Sequence, residues 1–194
     1  MKRFLAIVVV SILALACTDE DTLLTERDNI EKFLTSSRGM VAEENLGTVI
    51  SPNPKFYTIF GRYAYRYIDN YYDADRESRP VVDWGDEVQL LFSAYTFSSS
   101  EPSSSAPYWS NNPDVIAKLG KHGDLAWSAE PLYVELGTTD IIEGLERSLV
   151  GCREQDSVQV FMTSSLGYGK KIVGNVPKNS PLAWYVRIEK VIKR

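Results

Sequence analysis

The fold of this chain is decided by one stretch, DIIEGLERSLVGCREQDSVQVFMTSSLGYG, which spans residues 140–169. Its first half carries apolar residues at the i, i+3, i+7 spacing of a helix, at Ile142, Leu145 and Leu149. Apolar and polar residues then alternate along 158–162, which predicts a half-buried strand. Tyr168 follows between two glycines, which adopt the backbone conformations of turns. The stretch therefore predicts a helix, a strand and a turn that presents one tyrosine.

Alternating patterns elsewhere in the chain predict further strands. They lie at 62–72, 86–97, 130–137 and 181–193. Because successive strands lack intervening helices, we expect an α+β fold in which an antiparallel sheet wraps around one central helix. A helical pattern also covers residues 21–36, with Leu23, Ile30, Phe33 and Leu34 on one face. This N-terminal helix would either pack on the domain or act as a stalk.

The first 17 residues have the pattern of an export signal. Lys2 and Arg3 precede an uncharged apolar run over 4–16, which is shorter than the roughly 20 residues of a membrane span. The run ends in ALAC, which resembles the lipobox of bacterial lipoproteins. That resemblance implies cleavage before Cys17 and lipidation of this residue, so that the protein is anchored to a membrane without spanning it. An ordinary secretory signal with a chance cysteine is the alternative.

These features predict a lipid-anchored protein in the cell envelope of a Gram-negative bacterium. We expect the outer membrane, on its periplasmic side or at the cell surface. The acidic TDED after Cys17 resembles a surface-export signal of some lipoproteins, and a solvated linker is the alternative. The net charge of −5 lacks the basic footprint of a nucleic-acid-binding protein, so no nucleic-acid partner is expected. Cys152 has no partner if Cys17 is lipidated, and we expect it to be a small buried apolar residue.

The export signal, the N-terminal helix and the strand-rich remainder divide the chain into three parts. We expect a signal peptide at 1–16, a lipidated linker and helix at 17–60, and the main domain at 61–194. A Ser/Pro-rich tract at about 98–124 interrupts the main domain, either as a flexible flap or as a plain insertion.

The common catalytic motifs are missing from the sequence. There is no HExxH, CxxC, P-loop or GxGxxG motif, and His122 is the single histidine. Hydrolysis by a Ser-His-Asp arrangement and metal chemistry are therefore disfavoured, and we expect no cofactor and no metal.

Several pieces of the C-terminal half, taken in order, resemble FKBP-type peptidyl-prolyl isomerases. The matching pieces are Ile141-Ile142, Gly144-Leu145, the Gly-Tyr-Gly at 167–169 and the VPKNSPL segment at 176–182. The resemblance covers roughly residues 80–194, with the Ser/Pro-rich tract as an interruption. It implies a curved FKBP-like sheet and a peptidyl-prolyl cis-trans isomerase that assists the folding of exported proteins. Its partners would be proline-containing polypeptides or envelope proteins.

The resemblance also assigns roles to the matched residues. Tyr168 matches the tyrosine whose hydroxyl bonds a ligand carbonyl, and Ile142 matches the residue whose backbone N–H bonds a second carbonyl. Substrate-binding positions are implied for Phe92, Leu132, Ile141, Leu145 and Trp184. Asp124, with Leu125 or Trp127, would replace the family's Phe-Asp pair. Each of these residues could instead be ordinary core.

Two departures from the family pattern keep a second hypothesis open. Leu145 stands where the family usually has a floor tryptophan, and Phe92 lacks the hydroxyl of its counterpart. The chain could therefore be an FKBP-like binding module of the envelope with little or no catalysis.

Overall fold

A computed structural model describes residues 2–40, 57–121 and 127–194, without the side chains of residues 2–19, 58 and 59. Its helices are α1 (Lys2–Arg38), α2 (Pro113–Lys118) and α3 (Glu143–Leu149). Its strands are β1 (Thr58–Phe60), β2 (Ala64–Ile68), β3 (Glu87–Thr96), β4 (Trp109–Ser110), β5 (Leu132–Glu135), β6 (Ser157–Met162) and β7 (Leu182–Ile192). All five strands predicted from the alternating patterns are present, and β1 and β4 are additions to them.

One antiparallel sheet contains all of these strands. Its order is β1-β2-β6-β7-β3-β4, and β5 pairs with β3 beside β4. The longest pairing joins β3 to β7, from Glu87 opposite Ile192 to Thr96 opposite Leu182, with an irregularity between Gln89 and Leu90. A shift of register of this kind bends a strand and increases its twist, which helps a sheet to wrap around a helix. The predicted α+β fold, with an antiparallel sheet, a packed central helix and an N-terminal helix, is confirmed.

Helix α3 packs on the inner face of the sheet and closes the main core. Leu145 and Leu149 are completely buried there, and each contributes about 1.5–3 kcal/mol by leaving water. Gly144 allows this close approach, because a Cβ at its position would lie 2.7 Å from the sulfur of Met162 in β6. The same Cβ would lie 3.1 Å from Leu166, so α3 also contacts the loop after β6.

The C-terminal part of α1 packs on the outer face of the sheet. Ile30 and Leu34 are fully buried and Phe33 nearly so. They form a second apolar cluster with Tyr57, Tyr65, Phe97, Phe161 and Ala183. The helix predicted over 21–36 therefore packs on the domain and is not a free stalk. No helix within the described part of the chain has the length and apolar character needed to cross a membrane.

The described part of the Ser/Pro-rich tract folds back on the sheet. Glu101 accepts a hydrogen bond from Tyr185 at 2.5 Å and forms an ion pair with Arg38 of α1. Further along, the buried Asn111 accepts from the backbone N–H of Phe92 at 2.6 Å and donates to the Leu90 carbonyl at 2.8 Å. These contacts hold β4 beside β3, so the described part of this tract is an ordered part of the domain.

Candidate functional site

A concavity of about 420 Å³ opens where β4, β5, the start of α3 and the loop after β6 meet. Its walls include Trp109, Leu132, Ile141, Ile142, Tyr168 and Trp184. Small-molecule and peptide side-chain sites commonly have volumes of about 300–1,000 Å³ and mostly apolar walls. The rim carries charges of both signs, from Asp140, Glu143 and Lys171. The concavity therefore has the size and apolar walls to take a proline ring.

The backbone around Tyr168 is closed into a compact turn. The carbonyl of Ser164 accepts hydrogen bonds from Gly167 N–H at 3.1 Å and from Gly169 N–H at 2.8 Å. Gly169 has a φ of 58°, a conformation that glycine adopts without steric cost. A Cβ on Gly167 would instead lie 2.8 Å from a methyl group of Leu182. The two glycines thus have different functions: one supplies a backbone angle and the other permits close packing.

Ile142 lies immediately before α3 as its N-cap residue. Its carbonyl accepts hydrogen bonds from the N–H groups of Leu145 at 3.1 Å and Glu146 at 3.2 Å. The preceding N–H, that of Ile141, donates to the Thr139 carbonyl at 2.9 Å. By contrast, the N–H of Ile142 donates no backbone hydrogen bond within the described residues. A bound ligand could therefore use this donor without breaking a bond of the protein.

Three aromatic rings build the deep part of the concavity. Phe92 stacks on Trp184 with ring centroids 4.8 Å apart, and Trp109 meets Phe92 edge-on at 4.5 Å. Trp109 is also perpendicular to Trp184 at 5.8 Å. Such pairs contribute about 0.5–1.5 kcal/mol each beyond their buried area. Phe92 is 2% exposed and supports the other two rings from behind, so it is not part of the wall itself.

Two buried polar atoms beside Tyr168 make no hydrogen bond of normal length and angle among the described residues, although Tyr108 lies close enough to Tyr168 and Trp184 for both to affect its pKa. They are Tyr108 Oη and Trp184 Nε1. The Tyr108 ring lies edge-on to Tyr168 at 6.1 Å and to Trp184 at 6.4 Å. Burial raises the pKa of Tyr108, and the neighbouring phenol of Tyr168 raises it further. Leaving such groups without a good hydrogen bond costs about 1–3 kcal/mol each.

The structure brings five of the predicted site residues together in one concavity: Leu132, Ile141, Ile142, Tyr168 and Trp184. Leu145 belongs to the buried face of α3, is fully buried in the main core and does not line the concavity. Trp127 is half-buried beside Lys121 and does not line the concavity. Asp124, Leu125 and His122 lie outside the described residues, as does the side chain of Cys17.

Sequence reasoning missed Trp109 and Tyr108, which lie within the Ser/Pro-rich tract just before α2. Trp109 lines the concavity through the short strand β4. The available signal was an aromatic pair just after a run of serines and prolines. A two-residue strand has too few positions for an alternating pattern, so its pairing with β3 could not be seen.

Metal and thiol chemistry find no support at this site. Within the described residues, no group of three or more His, Cys, Asp or Glu side chains could hold a metal ion. Cys152 is fully buried, and burial raises the pKa of its thiol to about 11. A thiol with this pKa stays protonated at neutral pH and is a poor nucleophile.

Comparisons with known proteins agree with this geometry. Residues 115–189 match the sequence model of the FKBP-type peptidyl-prolyl cis-trans isomerase family. The fold is similar to the crystal structure of the three FKBP domains of wheat FKBP73, with a TM-score of 0.51 and 14% identity. That match covers 71% of this chain and 52% of the wheat chain, so this chain spans about half the length of the wheat structure. A comparison with the curated proteins finds no match. Residues 115–189 are therefore similar in sequence to FKBP-type peptidyl-prolyl cis-trans isomerases, and the chain has the fold of FKBP domains.

Proposed function

We propose that this protein is a peptidyl-prolyl cis-trans isomerase that assists the folding of exported proteins, held at a membrane by lipid on Cys17. The observation that carries the proposal is that Tyr168 and Ile142 line one concavity with aromatic walls, and that the N–H of Ile142 donates no backbone hydrogen bond within the described residues. A tyrosine hydroxyl and a backbone N–H are both donors, so two peptide carbonyls can be held on either side of a proline ring.

The chemistry of this isomerisation requires only such a site. Rotation about a peptide bond has a barrier of about 18–20 kcal/mol, and the uncatalysed X-Pro bond needs tens to hundreds of seconds. The twisted transition state has lost amide resonance and is less charge-separated than the planar bond. Aromatic walls that exclude water favour it over the planar ground state. The donors of Tyr168 and Ile142 keep the flanking carbonyls in place while the bond turns.

The membrane part of the proposal rests on the N-terminal pattern. Cys17 precedes Glu26, a buried residue of α1, by less than three helical turns, or about 14 Å along an α-helix. A lipid on Cys17 would hold the isomerase domain close to the membrane surface. Replacing Cys17 by Ser should abolish incorporation of labelled fatty acid and move the protein from the membrane fraction to the soluble one. Unchanged membrane association of this variant would contradict the anchor.

The isomerase activity is tested by proline-limited refolding and by a peptide assay. The wild-type protein should accelerate both reactions, and Tyr168→Phe should lower kcat/KM about tenfold through the loss of one hydrogen bond to substrate. Tyr72→Phe is the matched control, since this tyrosine is exposed and lies beyond the opposite end of β2 from the Tyr168 loop. A wild-type rate equal to that in buffer would overturn the proposal.

One observation favours a catalytically weak binding module instead. Leu145, at the position of the usual floor tryptophan, is buried in the core, and Trp109 from the Ser/Pro-rich tract forms part of the wall. A site rebuilt in this way could bind proline segments without accelerating their isomerisation. Binding of a proline peptide with no rate enhancement, both measured on the wild-type protein, would decide for the binding module. Deleting Ser98–Asn112 is not a clean test, because it removes β4 and the Asn111 bonds to β3.

A further inference from the structure

A carboxylate of the N-terminal helix is buried against the loop that carries Tyr168. Glu26 of α1 is only 6% exposed. One of its oxygens accepts a hydrogen bond from the backbone N–H of Ser164 at 2.7 Å, and the other accepts from the Ser164 hydroxyl at 2.8 Å. Hydrogen bonds to an ionised carboxylate are about twice as strong as those between neutral groups. Burial raises the pKa of Glu26, while both Ser164 bonds oppose that shift.

Ser164 transmits this contact to the backbone on both sides of Tyr168. Its carbonyl accepts the N–H groups of Gly167 and Gly169, at 3.1 and 2.8 Å. The carbonyl of Gly169 in turn accepts the N–H of Asn179 at 2.7 Å, which ties the turn to the segment before β7. Glu26 is therefore connected to the turn around Tyr168 by hydrogen bonds through Ser164. These bonds restrict the movement of the 164–169 turn relative to α1.

A second carboxylate of the same helix contacts a different part of the domain. Glu31 accepts hydrogen bonds from Arg62, which lies just before β2, and from the hydroxyl of Tyr65, which lies in β2. Glu26 is thus the α1 carboxylate that bonds the Tyr168 loop, and it lies outside the segment at 115–189 that matches the family.

We propose that Glu26 is a positioning residue of the isomerase site, which sets the Tyr168 hydroxyl by holding Ser164. Helix α1 is then part of the catalytic architecture as well as the link to the membrane. The kinetic consequence rests on the proposed isomerase function, whereas the effect on the loop does not. Misplacing a catalytic group by about 1 Å can lower a rate by up to about a hundredfold.

The experiment compares Glu26→Ala, Glu26→Gln and Glu31→Ala in the full-length chain in detergent micelles. Glu26→Ala should lower kcat/KM for a proline peptide about tenfold, mainly through kcat. Glu26→Gln should recover most of this loss, because its amide can accept from Ser164 N–H and donate to the Ser164 hydroxyl. Glu31→Ala removes a carboxylate from the same helix and should leave kcat/KM within about twofold of wild type.

Hydrogen exchange followed by mass spectrometry supplies a readout independent of catalysis. In Glu26→Ala, peptides that cover residues 163–169 should exchange at least about fivefold faster, with the rest of the sheet unchanged. Equal exchange in this segment, or an increase spread over the whole domain, would overturn the inference. So would a kcat/KM that Glu31→Ala lowers as much as Glu26→Ala. If the wild-type chain shows no isomerase activity, the proposed function fails, and the exchange measurement still decides whether Glu26 holds the loop.

Discussion

Both faces of the sheet carry closely packed aromatic side chains, but only the cluster on the outer face is covered by a helix. On the outer face, Phe33 of α1 lies edge-on to Phe97 at 5.3 Å, and the aromatic cluster is covered by the helix. On the inner face, Phe92, Trp109 and Trp184 pack just as closely, at centroid distances of 4.5–5.8 Å. Beside them, however, a concavity of about 420 Å³ remains open at the N-terminal end of α3.

The carboxylates of α1 and the backbone donor beside the concavity are paired differently. The α1 carboxylates of Glu26 and Glu31 each accept at least two hydrogen bonds. The N–H of Ile142 donates no backbone hydrogen bond within the described residues. Buried polar atoms without a hydrogen bond of normal geometry occur on both faces, at Tyr57 Oη in the outer cluster and at Tyr108 Oη and Trp184 Nε1 beside the concavity. The two faces therefore differ in the open concavity and in the available donor of Ile142, and not in how completely their buried polar groups are paired.

We expect the largest change in stability from a substitution in the apolar cluster on the outer face. Phe33→Ala leaves a cavity against Phe97 and Phe161 and should lower the free energy of unfolding by about 3–5 kcal/mol. Urea denaturation measures this loss as a lower midpoint with an unchanged slope. Ile172→Ala, at a residue that is 73% exposed, is the control and should change stability by less than about 0.5 kcal/mol. A loss below about 1 kcal/mol for Phe33→Ala would mean that α1 is not part of the core.

The second prediction concerns the binding of a peptide at the inner face. Trp109→Ala removes a wall of the concavity and should weaken binding of a proline peptide about tenfold, equivalent to about 1.4 kcal/mol. Isothermal titration calorimetry measures the affinity. Trp84→Ala removes a tryptophan that is 56% exposed and outside the wall, and it should leave the affinity unchanged. Equal affinities for the two variants would place the binding site elsewhere.

A pH titration contrasts two carboxylates of α1. The pKa of Glu26 is raised from the ordinary value of 4.5, mainly by burial, so the folded protein holds this proton more tightly than the unfolded chain does. Its contribution to stability is fully present below pH 4.5 and is lost as pH rises through the folded pKa. The pKa of Glu31 is lowered, mainly by the hydrogen bond from Arg62, so its contribution is present above pH 4.5 and is lost as pH falls.

Urea midpoints measured between about pH 3 and 8 test this contrast. Relative to wild type, Glu26→Gln should flatten the part of the profile above pH 4.5, and Glu31→Gln the part below it. Identical changes for the two variants would show that the two carboxylates have similar environments.

The smallest effect concerns the unpaired hydroxyl of the inner face. Tyr108→Phe should leave stability unchanged or raise it by up to about 1 kcal/mol, because no hydrogen bond is lost. Tyr185→Phe is the paired control, because its hydroxyl donates to Glu101 at 2.5 Å, and it should lower stability by about 1 kcal/mol. Equal destabilisation by both variants would show that Tyr108 has a partner in the free protein.

The elements with a regular hydrophobic period could be predicted from the sequence alone. They are strands β2, β3, β5, β6 and β7, helix α3 and the 21–36 part of α1. A face that is buried along its whole length imposes a spacing of apolar residues that is visible within one segment. The resemblance to FKBP-type isomerases added the order of these elements, and with it the position of Tyr168 at the end of β6. Tyr168, Ile142, Leu132 and Trp184, to which the resemblance assigned site roles, line one concavity in the structure.

Only the tertiary structure decided which distant residues complete the site. The Ser/Pro-rich tract gave no pattern, yet its Trp109 forms part of the wall. The family resemblance assigned Leu145 to a pocket floor, with ordinary core as the alternative, and its complete burial in α3 places it in the core. Glu26 and Ser164 are 138 positions apart, and neither has a local signal for the other. Such contacts depend on the path of the whole chain in space, whereas a period is a property of a single segment.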